Sequence, residues 1–274
     1  MWKLHKTLSF VFLFFLLLAN GCVKDLITGK TSYNWFSLRQ DIKLGQEVLD
    51  AQLADLKKHH KKTDTDADPQ MVARIRNVVS KIGAVSHEPG FPFEAHYADV
   101  KTVNAWCAPG GKVMVYRGLF DEKKGLVKKS SDDELAAVLG HEIAHATARH
   151  VTESLSRNLT ITTLGTVALS AISSSGAGTV QNVFGQVIEE GINLYIPYYS
   201  RGNEAEADRI GILYAAKAGY NPQAAVDLWY RACHTRGDPQ SLYSSHPSDC
   251  QRAKNLEKML PQALAEYEKA RQTH

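Results

Sequence analysis

The sequence predicts an α+β fold that is mostly α, with amphipathic helices set around one small β-sheet. Three observations predict it. Apolar residues recur at helical spacing through much of the 274-residue chain. Strand character is confined to two short stretches, Phe93–Ala98 and Lys112–Tyr116, the second rich in β-branched and aromatic residues (Val113, Val115, Tyr116). Directly after them, Ser131-Asp-Asp-Glu134 reads as a capping box opening a long apolar helix.

Taken in order, the chain begins with an address. Lys3 and Lys6 precede an apolar run, Leu8–Ala19, broken only by Ser9. That run suits a signal-peptide core and is short for a bilayer span. The stretch Leu18-Ala-Asn-Gly-Cys22 resembles the lipobox of bacterial lipoproteins, in which the cysteine is acylated. The expected organisation is a signal peptide over 1–21, a lipid-anchored segment with helix and linker over 22–68, and one catalytic-size domain over 69–274. Val23, rather than aspartate, follows the cysteine. In enteric-type sorting this implies the outer membrane, with the body in the oxidising periplasm.

Leu38 to Leu56 reads as an amphipathic helix, and Lys57–Asp68 as a solvated linker. Asp68-Pro69 starts a second helix, with Val72, Ile75, Val78, Val79 and Ile82 as its buried face. Asn104 to Gly111 reads as a tight connection between the two strands. Leu135, Val138, Leu139 and Ile143 give the capped helix its apolar face. The apolar, Ser/Thr-rich Leu159–Ile172 suggests a buried hairpin or a lid. Glu204–Ala218 is helical and stops at Gly219; Pro222–Ala232 follows with Asn221 as cap. A last helix opens at Ser248 and is interrupted at Pro261.

Composition narrows the function. Charged residues make up 22% and apolar ones 44%, as in ordinary globular domains, which excludes general disorder and fibrous repeats. The net charge is +3, and two of those positives lie in the leader, so nothing argues for a nucleic-acid partner. Besides Cys22 there are Cys107, Cys233 and Cys250, too few for a disulfide scaffold. Cys233 and Cys250 would close the shortest loop, but three pairings are open.

The chemistry lies in His141-Glu-Ile-Ala-His145, inside the capped helix. A spacing of four puts both imidazoles on one face, so both can reach one ion. Glu142, offset by about 100°, can address a water on it. Zinc suits such a site, which needs a third protein ligand and an open fourth position. His150, nine residues on, falls about 180° around a continuous helix and is expected to bond on its other side. Asn203-Glu-Ala-Glu-Ala-Asp208 supplies a better third ligand in Glu204, with Asp208 one turn later to orient an imidazole. Glu206 is expected at the surface.

Capping box, HExxH and Glu204-x-Glu-Ala-Asp-x-x-Gly211 together resemble the HtpX/BepA/LoiP and CAAX-prenyl-protease group of zinc metallopeptidases. Ile27-Thr-Gly-Lys30, Asn104-Ala…Pro109-Gly-Gly111 and His246-Pro-Ser…Arg252 match that group in the same order. The soluble LoiP-like periplasmic lipoproteins are the most similar in shape. The resemblance implies a zincin-like (gluzincin) metallopeptidase domain with its sheet beside the HExxH helix. One Zn2+ would be held by His141, His145 and Glu204, with Glu142 as general base and then proton shuttle.

Asp208 would orient a ligand, and His246 and Arg252 would approach the fourth coordination side and stabilise the oxyanion. His246 could instead ligate zinc and plug the site, or simply cap the last helix. Gly110 and Gly111, before Lys112 and Val113, would let a substrate backbone approach and add as a strand. Substrates would be extended segments of unfolded or misfolded envelope proteins. Two alternatives stand beside this reading: a zinc-containing chaperone or assembly factor for outer-membrane proteins, and a structural metal-binding module.

Overall fold

The computed structural model describes residues 22–24, 29, 31–158, 160, 199–235 and 249–272. The leader, residues 159–172 apart from 160, and His246 lie outside the described residues. No helix among the described residues is long and apolar enough to cross a membrane. The chain divides into two compact units.

In the smaller unit, β1 (Cys22–Lys24) pairs antiparallel with β2 (Thr31–Tyr33), placing Cys22 opposite Tyr33. Three hydroxyls spaced four residues apart line one side of its helical stretch. Thr152 accepts from the Asn34 side chain (2.9 Å), Ser156 from the Trp35 backbone N–H (2.9 Å) and Thr160 from the Trp35 indole (3.0 Å).

The larger unit holds the rest. Helix α1 (Leu38–Lys58) is amphipathic as expected, burying Leu44, Val48, Leu49 and Leu56, while Leu38 is exposed and Asp41 is buried. The linker is exposed through residue 62 and then docks on the sheet. Thr63 bridges Ala98, and the Asp64 carboxylate accepts from His96 Nδ1 at 2.7 Å. Asp68 caps α2 (Pro69–Val85) as expected, accepting from the backbone N–H groups of Gln70 and Met71.

The sheet has three strands: β3 (Glu94–Ala98), β4 (Ala105–Ala108) and β5 (Lys112–Tyr116). Their order is β3-β5-β4, parallel between β3 and β5 and antiparallel between β5 and β4. The stretch read as a tight connection therefore contains a strand of its own. Gly110 and Gly111 make the turn after it at φ of 73° and 86°, conformations a side chain disfavours.

Helix α3 (Asp132–Thr147) is buried on every side from Glu134 onward. Ser131 caps it through the Glu134 N–H, but Glu134 does not complete the expected box. Its carboxylate instead accepts from the Lys128 N–H (2.7 Å) and from Arg231 (2.8 Å to each oxygen), because a guanidinium fork outcompetes one backbone donor.

Three helices follow: α4 (Arg201–Lys217), opened by a Ser200/Asn203 capping box, α5 (Gln223–Thr235) and α6 (Asp249–Gln272). Helix α6 runs through Pro261 without the predicted interruption. Pro261 and Glu257 are exposed, so the carbonyl that loses its N–H partner can be hydrated. A Cys233–Cys250 disulfide ties α5 to the start of α6, selecting one of the three pairings, and Cys107 is a buried thiol on β4.

Helices α3 and α4 cross at a pair of glycines. A Cβ on Gly140 would lie 2.6 Å from the Gly211 carbonyl oxygen, and one on Gly211 would lie 2.6 Å from the His141 nitrogen. The crossing admits no side chain at either position. It brings Glu204 and Asp208 against the histidines.

Candidate metal centre

His141 and His145 project one turn apart from α3, and Glu204 meets them from α4; all three are buried. The Nε2 atoms of the two histidines are 3.1 Å apart. His145 Nε2 lies 3.3 Å from Glu204 Oε1, and His141 Nε2 lies 3.5 Å from Glu204 Oε2. Ligands at about 2.0–2.1 Å from a tetrahedral ion sit about 3.3 Å from one another, so the triangle fits a zinc-sized ion.

The tautomers fit as well. His141 Nδ1 is 2.9 Å from Asp208 Oδ1 and 2.9 Å from Arg252 Nη2. With its Nδ1 proton directed at Asp208, which only accepts, His141 offers the Nε2 lone pair to the centre. Burial and the Arg252 charge push the His141 pKa down. Asp208 and Glu204 outweigh them, and it rises to about 9. Surroundings that hold a second proton there would equally hold a divalent cation. Burial, outweighing Glu204, drives the His145 pKa well down, so this ring is neutral and available as a ligand.

Asp208 is itself anchored. Arg252 Nε lies 3.1 Å from both its oxygens and Nη2 lies 2.7 Å from Oδ1. The guanidinium lies on the Trp229 ring of α5, 3.7 Å from its centroid. Burial opposes ionisation of Asp208, but Arg252 and His141 overcome it and hold its carboxyl below the usual range. Arg252 thus supports His141 from the Nδ1 side through Nε and Nη2, while its Nη1 lies 3.9 Å from Glu204 Oε2.

Glu142 is buried beside the ligands. Its charge is felt by two groups the sequence reading missed. Burial and then Glu142 raise the Cys107 thiol on β4 well above its ordinary value. Burial and then Glu142 and Glu204 raise the Tyr199 phenol likewise. Tyr199 stacks on the His145 ring at 3.7 Å between centroids. Nothing in its local sequence marks it.

His150 and Glu206 depart from expectation. Helix α3 ends at Thr147, so His150 folds back with its Nδ1 2.9 Å from His145 Nδ1, rather than facing the far side of a longer helix. Glu206 is no surface residue: its side chain is 10% exposed and Oε2 lies 3.6 Å from His150 Nε2.

The strand positions anticipated for substrate are already paired within the sheet. Strand β5 is central, so Lys112 and Val113 already pair with β3 and β4. Lys112 Nζ donates to Glu94 (2.8 Å) and to the Pro92 carbonyl (3.2 Å), and Val113 is fully buried. Gly110 and Gly111 make room for Ile42 and Phe93 of this chain, since a Cβ would lie 2.6 Å from each. The outer strand on the α3 side is β4, preceded by Asn104, whose carbonyl accepts from Tyr116 N–H.

Two histidines and a glutamate converging from two helices, with a small mixed sheet beside them, define a zincin-like metallopeptidase domain. The chain matches the model of Peptidase family M48 over residues 68–260, and it belongs to that family. Among curated relatives, the mitochondrial metalloendopeptidase OMA1 of Arabidopsis thaliana is 36% identical over 197 residues, covering 71% of this chain and 37% of the relative. The OMA1 of Schizosaccharomyces pombe is 34% identical, covering 71% and 54%. A putative beta-barrel assembly-enhancing protease of Vibrio cholerae is 31% identical over 190 residues, covering 66% and 37%. The chain thus spans about a third to a half of the length of these relatives.

Proposed function

We propose that this chain is a zinc-dependent endopeptidase that hydrolyses peptide bonds in unfolded or misassembled envelope proteins. The observation that carries this reading is the donor triangle, with edges of 3.1–3.5 Å and Glu142 next to it on α3. Zinc held by His141, His145 and Glu204 would supply Lewis acidity and an acidified water. Glu142, beside these ligands, would accept a proton from the attacking water and pass it to the departing nitrogen. Asp208 and Arg252 keep His141 in its ligating tautomer. An extended substrate adds as a strand on β4, reading backbone more than side chains and so giving broad specificity. His246 completes the oxyanion site or plugs it at rest; His246→Ala lowers proteolysis in the first case and raises it in the second.

The leader and the Leu18–Cys22 sequence support a periplasmic lipoprotein of the LoiP-like kind, acylated at Cys22 and held at the outer membrane. The bacterial relatives, named for beta-barrel assembly, support an envelope role. That name also favours a second reading, an assembly factor with little proteolysis. Digestion of an unfolded model protein by wild type and Glu142→Gln, with and without chelator and with bound metal measured, separates them. Loss of cleavage with zinc retained in Glu142→Gln supports the protease. Absence of cleavage by zinc-loaded wild type supports the assembly factor.

A further inference from the structure

His145 has a support of its own that mirrors the one behind His141. After Thr147 the chain leaves α3 through Arg149, a non-glycine residue at φ 60°. Its guanidinium Nε donates to the buried Asp41 carboxylate of α1 at 2.5 Å, which holds the left-handed step. That step returns His150 beneath the helix end, against His145. His145 and His150 are 0% and 1% exposed, and their Nδ1 atoms, 2.9 Å apart, require one proton between them. Because His145 Nε2 faces the metal donors, the proton sits on its Nδ1 and His150 Nδ1 accepts it. His150 then carries its own proton on Nε2, which faces Glu206 Oε2 at 3.6 Å. Glu206 points away from Glu204, as its offset along α4 requires, but into the end of α3 rather than into solvent.

We infer that His150 and Glu206 form a positioning relay that fixes the ring orientation and tautomer of His145 for metal ligation, as Asp208 and Arg252 do for His141. The inference rests on the metal-centre reading. Neither residue touches substrate. Their effect is on how tightly and in what geometry the ion is held. Helix α4 thereby supplies one ligand and, through the Asp208 hydrogen bond and the Glu206 charge, the polar support of the other two.

The test is zinc affinity of the full chain, by competition with a chromophoric chelator, together with the visible spectrum of the cobalt-substituted protein. His150→Phe keeps the volume and removes the acceptor; its zinc Kd should rise about 10–100-fold, with an altered cobalt spectrum. His150→Gln, whose carbonyl can accept, should recover most of the affinity. A His150→Phe protein within twofold of wild type, or a Gln variant as weak as Phe, overturns the relay. Should His150→Phe fail to fold, Glu206→Leu carries the test: about tenfold weaker zinc supports the relay, and unchanged zinc overturns it. Wild type without zinc affinity would remove the metal centre itself. Failure of the relay alone leaves wild-type binding intact.

Discussion

Replacing Gly211 by alanine puts a methyl carbon 2.6 Å from the His141 nitrogen and 2.8 Å from the Gly140 carbonyl carbon. All the nearest atoms are backbone, so none can rotate away. Restoring ordinary contact, about 3.5 Å, needs α3 and α4 to part by roughly 1 Å at the crossing. Overpacking of this kind costs about 1–3 kcal/mol, while alanine returns about 1 kcal/mol through helix propensity. The metal-free protein should therefore lose about 0–2 kcal/mol, and at about 2–4 °C per kcal/mol its melting point falls by up to several degrees. The metal centre should suffer more. Its bonds are defined to about 0.2 Å, and Glu204 stands on the helix being displaced, two turns from Gly211.

A zinc Kd weaker by about tenfold or more is expected, a loss of 1.4 kcal/mol or greater. Thermal unfolding of the metal-free protein and chelator competition measure the two effects. Gly90→Ala, where a Cβ meets nothing within 4 Å, is the control and should leave both unchanged. If Gly211→Ala melts higher than wild type and binds zinc equally well, the glycine crossing does not set the site.

Three further outcomes follow from the same geometry. Glu134 is held below the usual carboxylate range: burial opposes this, but Arg231 and the Lys128 N–H outweigh it. Its stabilising effect is therefore complete above pH 4.5 and lost as pH falls through its lowered value. Glu134→Gln should destabilise by about 1–3 kcal/mol at pH 7, and urea unfolding should show that gap narrowing as pH falls below the ordinary carboxylate range. Arg252→Lys keeps the charge but not the fork that grips Asp208; proton NMR of the zinc-loaded protein should show a weakened His141 Nδ1–H resonance, and zinc affinity should fall about tenfold. The Cys233–Cys250 bridge closes a loop of 17 residues, worth about 3 kcal/mol. Paired Cys→Ser replacement should lower the melting point accordingly, and an unchanged melting point would show the bridge to be structurally idle.

Legibility in the sequence tracked locality. His141, His145, Glu204 and Asp208 were readable because each pair is fixed by the four-residue helical repeat. The Asp68 cap was readable for the same kind of reason. His150 was not, because its position depends on where α3 stops. That stop is set by the Arg149 turn and by Asp41, 108 residues earlier in the chain. Glu206 was assigned to the surface because it is offset from Glu204 along its helix, but the side it faces is covered by the end of α3. Strand β4 hid in Ala105-Trp-Cys-Ala108, whose small residues carry little strand signal and extend only because β5 offers them a partner. Glu134 gave the right cap signature but met a stronger partner from α5.

The burial of α3 has a consequence for the behaviour of the molecule in solution. Local openings start where backbone meets water, at ends and loops, and reach an enclosed helix last. Amides of residues 135–147 should thus be among the slowest to exchange with deuterium, outlasting those of α6 beyond Pro261. The chemical centre would survive fluctuations that loosen the periphery.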